Sequence, residues 1–140
     1  MRFFLDRNVP PPLARMLDIF DRKNTVEHHD DHFDENTSDI QWLGTIAKWD
    51  PKPVVVSSDL RILRNPAESQ ALRGTELTFF ALEKQWPKFS WEEWAWRMVK
   101  VWPLVVRHAN PRTPTVFRVP TQGQKIESVG PTRTAGARSR

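Results

Sequence analysis

Three aspartates occupy positions from which their carboxylates could act together. Asp6 ends the apolar run RFFL, Asp59 follows the apolar run VVVSS, and Asp39 begins a segment with helical spacing. In parallel α/β sheets, sites form outside the carboxyl ends of the strands, where the strand order reverses. Converging carboxylates repel each other unless a cation neutralises them, and oxygen ligands suit Mg²⁺ or Mn²⁺. The pattern therefore predicts a metal site suited to phosphodiester hydrolysis.

Each aspartate alone also has an ordinary structural interpretation. Asp is common in turns and at the starts of helices, where its side chain bonds to nearby backbone N–H groups. The metal-site prediction depends on the shared placement of Asp6, Asp39 and Asp59 and not on any one of them.

Polar and basic residues stand next to two of these aspartates. Arg61 and Arg64 follow Asp59, where guanidinium groups could hold a scissile phosphate or offset the acids. Asn8 follows Asp6 by two residues, and we expect it to orient water or substrate. The alternative role for Arg64 is a salt bridge at the start of a helix.

The segment HHDDHFDE contains three histidines and four acidic residues. His28 and His32 are four residues apart, but the helix and catalytic Glu of a zinc-protease motif are missing. We predict that His28, His29 and His32 belong to a strand end and a solvated loop bordering the active site. In that loop, Asp34 or Glu35 could supply an auxiliary ligand, and His32 could contact the phosphodiester substrate.

The elements that must position these residues alternate between strands and helices. Strands are predicted at RFFL, TVEHH, PVVVSS, LTFFAL and TVFRV, and helices after Pro10, over residues 38–49, from Pro66 and from Ser90. This alternation without hairpin signals indicates an α/β fold around a mainly parallel sheet. The helix over 38–49 runs antiparallel to the strands, which returns Asp39 to the same edge as Asp6 and Asp59. Pro103 is predicted to bend or interrupt the last helix.

Composition restricts the possible classes of protein. The chain has 140 residues, of which 39% are hydrophobic and 27% charged, as expected of one soluble domain. There is no cysteine, which excludes disulfides, zinc–thiolate sites, iron–sulfur clusters and thiol nucleophiles. No apolar run is long enough for a membrane span or a secretory signal, so we expect a cytoplasmic protein without a membrane partner.

The net charge of +4 is concentrated at the C-terminal end. Residues 121–140 carry four basic residues and one acidic residue, which leaves a single net positive charge for residues 1–120. This segment is rich in Gly, Ser, Thr and Gln and poor in core-forming residues. We therefore predict a folded domain over residues 1–120 and a basic, disordered tail over residues 121–140.

Five segments in a fixed order resemble one protein family. They are FLDRNVPPPLARML, TSDIQWL, VVVSSDLRILRNPAE, WPKFSWEEWAWRMVKVWP and VFRV, and they span about residues 1–120. Together they resemble the PIN-like ribonucleases of the VapC toxin type, from bacterial toxin–antitoxin systems, in their short bacterial branch. The order, the spacing and the RNPAE segment make the resemblance more specific than FLD or SSD alone.

The resemblance implies a fold, an activity and partners. The fold would be a three-layer α/β/α domain, and the activity a Mg²⁺- or Mn²⁺-dependent endoribonuclease that acts as a toxin. Asp6, Asp39 and Asp59 would hold the metal, and Glu68 or Glu76 would be the candidates for a fourth acid. The implied partners are an RNA substrate, a cognate antitoxin that inserts a segment into the acidic site, and a second copy of the chain in a homodimer.

Two alternative functions remain open at this point. A PIN-like scaffold without catalysis could use its Trp-rich helix as a protein interface, and a phosphatase-like or receiver-like protein could bind Mg²⁺ for phosphoryl transfer. The tryptophans could also stack on bases, but their spacing favours the core or a subunit interface; they are Trp86, Trp91, Trp94, Trp96 and Trp102.

Overall fold

Six strands form one sheet in the computed structural model, which describes residues 1–122 and 125–131. The strands are β1 (Arg2–Leu5), β2 (Thr25–His28), β3 (Val54–Ser57), β4 (Phe79–Leu82), β5 (Thr115–Val119) and β6 (Glu127–Pro131). Their order is β2-β1-β3-β4-β5-β6, and only β6 runs antiparallel to its neighbour. The predicted α/β fold with a mainly parallel sheet is confirmed.

Helices cover both faces of the sheet. They are α1 (Pro11–Phe20), α2 (Asp39–Ile46), the short α3 (Arg61–Arg64), α4 (Pro66–Thr75) and α5 (Trp91–His108). Side chains of α1 and α5 form one core with alternate sheet residues such as Phe3, Val56 and Phe80. Side chains of α2 and α4 form a second core with the intervening residues, such as Phe4 and Val55. The layers are therefore α/β/α, and the apolar runs are continuous because these strands are buried on both faces.

The predicted helix starts are confirmed by their capping contacts. The Ser38 hydroxyl accepts from the backbone N–H of Gln41 at 3.2 Å, and the Gln41 side chain accepts from the Ser38 N–H at 3.3 Å. Asn65 Oδ1 accepts from the N–H groups of Ala67 and Glu68, with Pro66 at the first helical position. These local contacts fix where α2 and α4 begin, and so where the acids in their first turns lie.

Helix α5 continues through Pro103, so of the two predicted effects the interruption is wrong, and the bend stays a prediction. The proline removes one backbone hydrogen bond, but Val101, Trp102 and Val105 on either side of it are buried in the core. This packing holds the helix together across the missing bond. Within the described residues, no helix is long and apolar enough to cross a lipid bilayer.

The predicted disordered tail is wrong for residues 127–131. These residues form β6, which pairs with β5 from Thr115 to Arg118, and Ile126 is buried in the α1–α5 core. Without β6, the N–H and C=O groups along one edge of β5 would be unpaired. A short polar segment can therefore pair with β5 through its backbone and form an edge strand. Within the predicted tail, residues 123–124 and 132–140 lie outside the described residues.

The order in which the chain adds strands to the sheet reverses between β1 and β3, which is the topological switch point. The chain goes from β1 outward to β2, then returns past β1 to form β3 on its other side. In open α/β sheets, the crevice at the carboxyl end of such a switch point is where ligands bind. Asp6 follows β1 directly and Asp59 follows β3 by two residues, so both lie at this crevice.

Candidate active site

Asp6 is almost completely buried at the carboxyl end of β1. Its backbone N–H donates to the Val56 carbonyl at 3.0 Å, which extends the pairing of β1 with β3. Its Oδ1 accepts from the backbone N–H of Asn8 at 3.0 Å, and its Oδ2 accepts from the Ser57 hydroxyl. These contacts hold the carboxyl group in one orientation at the sheet edge.

Asp59 forms a bidentate salt bridge with Arg61. The guanidinium donates from Nε to Oδ1 at 3.0 Å and from Nη2 to Oδ2 at 2.8 Å, and the Arg61 backbone N–H also donates to Oδ1. Burial by itself would raise the pKa of Asp59, but the hydrogen bonds from Arg61 hold that pKa below its usual range. The Arg61 side chain is 69% exposed, so the guanidinium lies at the mouth of the site.

Asp39 is the first residue of α2, directly after the capping Ser38. The indole Nε1 of Trp42, one turn later, donates to Asp39 Oδ1 at 2.9 Å. Both Asp39 and Trp42 are buried. The capped first turn and this indole bond therefore set the direction of the Asp39 carboxylate.

Arg7 connects the end of β1 to the loop before α2. Its Nη1 donates to the carbonyls of Glu35 at 2.5 Å and Thr37 at 2.9 Å, and its Nη2 lies 3.6 Å from Asp39 Oδ1. Sequence reasoning missed this role. The available signal was a basic residue directly after Asp6, in a region with an excess of acids.

Glu68 brings a fourth carboxyl group to the site from the first turn of α4. A hydrogen bond to Asp39, then burial and the negative charges of Asp39 and Asp59, raise the pKa of Glu68. The buried Oε2 of Glu68 has no hydrogen-bond partner among the described residues. Glu76, the other candidate fourth acid, lies past the opposite end of α4, beside Lys52.

The three predicted aspartates are close enough for their charges to interact. Burial raises the pKa of Asp6 to about 7, against hydrogen bonds from Ser57 and Asn8 that lower it. The negative charges of Asp59 and Asp39 add to the rise in the pKa of Asp6. The site therefore has an excess of negative charge that two neighbouring arginines, Arg7 and Arg61, offset only in part.

The donor set fits Mg²⁺ or Mn²⁺ by its chemistry. Four carboxylates supply the oxygens that these ions prefer, and a cation would relieve the unpartnered Glu68 oxygen and the crowding around Asp6. Within the described residues, however, no three His, Asp or Glu side chains form a ready-made metal cluster. Asp6, Asp39 and Asp59 already accept hydrogen bonds from the protein, and some of these contacts must be exchanged when an ion binds.

Two of the three clustered histidines are core residues, so the predicted solvated loop is wrong for them. His28 is buried, its Nδ1 accepts from the Asp30 N–H at 2.9 Å, and its Nε2 lies 2.7 Å from the Val9 carbonyl. Because Nδ1 accepts, Nε2 carries the proton and donates to Val9. His29 is buried among aromatic rings that include Phe4 and Trp42, and this burial lowers the pKa of His29.

The rest of the acidic loop lies beside the site. His32 pairs with Glu27 through Nε2 at 2.6 Å and is partly exposed. Asp34 and Glu35 line a cavity of about 570 Å³ together with Asn8 and Arg7. Asn8 is exposed there, while its backbone N–H supports Asp6. This arrangement brings Asn8, Asp34 and Glu35 next to the acids without placing them among the four.

Most of the tryptophans belong to the core, as predicted. Trp86, Trp94 and Trp102 are buried in the α1–α5 core, whereas Trp91 and Trp96 are 41% and 48% exposed. Stacking on bases is therefore open only to the last two.

One comparison with known proteins identifies a family. A protein-family model described as "PIN like domain" matches residues 1–84, which is more than half of the chain and includes all four acids. Comparisons with curated proteins and with solved structures each give no match. PIN-like domains are commonly nucleases. With its switch-point acids and its α/β/α layers, the chain belongs to the PIN-like domain family.

Proposed function

We propose that the protein is a Mg²⁺- or Mn²⁺-dependent endoribonuclease. The observation that supports this proposal is that Asp6, Asp39, Asp59 and Glu68 lie close enough for their charges to interact, with a buried Glu68 oxygen that has no donor among the described residues. Carboxylates crowd together at a cost that a divalent cation offsets. Asp6, Asp39 and Asp59 would hold the ion, with Glu68 beside them.

The chain's own groups divide the remaining work. A bound divalent ion would supply Lewis-acid activation of water and of the phosphate. Ser57 and the Asn8 N–H fix the Asp6 carboxyl group, and Trp42 fixes that of Asp39. Arg61 binds Asp59 through two N–H groups, the same geometry in which guanidinium binds phosphate. An arriving phosphodiester can therefore replace Asp59 on Arg61 and free Asp59 for the metal.

We place this activity in a bacterial toxin–antitoxin pair, as the toxin. Support comes from the ordered segments that resemble VapC-type toxins, especially VVVSSDLRILRNPAE, in which Asp59 is the acid and Arg61 and Arg64 follow it. The substrate would be RNA that is single-stranded where it is cut or held in a folded loop. A cognate antitoxin would cover the acids, the setting would be the cytoplasm, and two copies of the chain would form the working unit.

The test is to compare metal binding, RNA cleavage and growth inhibition in one set of variants. The variants Asp6→Asn, Asp39→Asn and Asp59→Asn should lose Mn²⁺ binding by calorimetry, cleavage of a labelled RNA and toxicity on induced expression. Asp50→Asn, an exposed aspartate in the loop before β3, is the control and should behave as wild type. Cleavage that survives all three site substitutions would refute the proposal.

A second candidate function is a catalytically inactive PIN-like module that binds a protein partner. It is favoured by the absence of a ready-made metal cluster among the described residues and by the exposure of Trp91 and Trp96 on α5. A wild-type protein that binds no Mn²⁺ and cleaves no RNA would support this candidate. Loss of partner binding in Trp96→Ala would then locate the interface.

A further inference from the structure

A groove of about 770 Å³ lies on the α2–α4 face of the sheet. Its walls are α3 and α4 on one side and β5 and β6, with the residues after β4, on the other. Apolar side chains such as Leu60, Leu72 and Val116 line it. On this face of β5, Val116 is buried in the α2–α4 core, whereas Arg118, two residues later, is exposed.

Basic side chains dominate the rim of this groove. Among the described lining residues, the cations are Arg64, Arg73, Lys84 and Arg118, and the only acid is Glu83. All four basic residues are exposed, and none forms an ion pair with another residue in the described ranges 1–122 and 125–131. Cations gathered in this way without partners favour an anionic occupant.

The groove begins at the candidate active site. Leu60 and Arg64, which line it, follow Asp59 in the chain, and Ser69 follows Glu68. Ser69, Leu72 and Arg73 share one face of α4, while Glu68 turns toward Asp39. One helix therefore contributes to both the acids and the basic groove, so the two features adjoin each other.

We propose that this groove binds the phosphate backbone of single-stranded RNA and leads it to the four acids. This inference rests on the proposed ribonuclease function and specifies how that site takes its substrate. A cleft of this size, within the roughly 300–1,000 Å³ range of ligand sites, admits a few nucleotides of one strand rather than a duplex. None of the described lining residues is aromatic, so base stacking contributes little and phosphate contacts dominate.

The test measures RNA binding without cleavage. A short fluorescein-labelled oligouridylate is titrated with the full chain in EDTA, and fluorescence anisotropy reports binding. The groove variant is Lys84→Glu with Arg118→Glu. The matched control is Lys100→Glu with Arg22→Glu, which makes the same change in charge at exposed positions on the opposite, α1–α5 side.

The groove variant should bind the oligouridylate at least about tenfold more weakly than the wild type, and the control about twofold more weakly at most. The logarithm of the association constant should fall as the logarithm of the salt concentration rises. The magnitude of this slope should be about 3 for four phosphate contacts and about 1.5 after two contacts are lost. Circular dichroism and the thermal midpoint confirm that both variants fold. The single variant Arg73→Gln, which removes one charge without reversing it, should lower the slope by about 0.7. Equal weakening in the groove and control variants, or no RNA binding by the wild type, would overturn the inference.

The same proteins in Mn²⁺ separate this inference from the proposed function. RNA binding that depends on the groove without any cleavage would leave the groove in place and remove the ribonuclease proposal. Cleavage that is equally fast in the groove variant and the wild type at low RNA concentration would remove the groove and keep the ribonuclease.

Discussion

The carboxyl group of Glu68 in α4 lies against that of Asp39 in α2, and the two acids share one side of the site. Both belong to the first turn of their helix, where the helix dipole favours negative charge. The pair is nevertheless strained electrostatically, because the contact raises the pKa of Glu68 and leaves its Oε2 without a donor among the described residues. A cation between the two acids would remove this strain.

Replacing Glu68 tests whether it is a ligand. Glu68→Gln should lower Mn²⁺ affinity by at least about tenfold, because one carboxylate is lost from the set that attracts the ion. Calorimetric titration measures the affinity. Glu76→Gln, a glutamate past the other end of α4, is the matched control and should leave affinity unchanged. Equal affinity in the two variants would exclude Glu68 from the metal site.

Asp6 should make the metal-free protein less stable as pH rises. Its pKa is about 7 in the folded protein against an ordinary 3.8, so the folded state binds more protons between these values. The contribution of the protonated Asp6 to the free energy of unfolding is therefore fully present below about pH 4, and this contribution is lost as pH rises through about 7. The full shift corresponds to at most about 4 kcal/mol. Urea unfolding in EDTA across this range measures the loss.

Asp6→Asn supplies the check on that pH dependence. Asparagine resembles the protonated carboxyl group in size and carries no charge, so the variant should lose most of the fall in stability. At pH 8 it should be more stable than the wild type, and near pH 4 the two should be similar. A stability difference that stays constant with pH would show that Asp6 does not titrate in this range.

Arg61 and Arg64 should affect different kinetic constants. Arg61 binds Asp59 with two N–H groups, so Arg61→Gln should lower the cleavage rate at saturating RNA by about a hundredfold. Arg64 lines the groove and has no ion-pair partner among the described residues, so Arg64→Gln should raise KM and leave kcat near that of wild type. Steady-state cleavage in Mn²⁺ measures both constants. A lower kcat in both variants would mean that the two arginines act at the same step.

Two indole hydrogen bonds allow a matched test of how Asp39 is positioned. Trp42 donates to Asp39 and Trp102 donates to Asp21, each at 2.9 Å. Replacing either tryptophan with phenylalanine should cost roughly 1–3 kcal/mol of stability through the lost bond and lost volume. Only Trp42→Phe should also weaken Mn²⁺ binding. Mn²⁺ titration beside thermal unfolding separates the two effects, and equal Mn²⁺ affinity in both variants would show that the indole does not position Asp39.

The fold followed from local patterns that do not depend on distant residues. The run VVVSS predicts a strand buried on both faces, and β3 is such a strand between β1 and β4. Ser38, Asn65 and Ser90 predict helix starts, and α2, α4 and α5 begin directly after them. These predictions succeeded because capping and periodicity act over a few residues.

Predictions that depended on long-range packing fared worse. The polar composition of residues 121–140 indicated disorder, but β6 forms there because β5 offers it an unpaired edge. His28 and His29 lie in an acidic segment, yet both are buried because Val9 and a set of aromatic rings surround them. Val9, Phe4 and Trp42 lie far along the chain from the two histidines that they contact, so no local pattern could reveal these contacts.

The candidate site shows the same division. The sequence by itself determined the types of residue available, with Asp6 and Asp59 after strands and Asp39 at a helix start. Only the tertiary structure decided that Glu68, rather than Glu76, faces Asp39, and that a basic groove adjoins them. The physical reason is that strand and helix ends are set by short-range hydrogen bonds, whereas the pairing of side chains across elements depends on how α2, α4 and the sheet edge pack together.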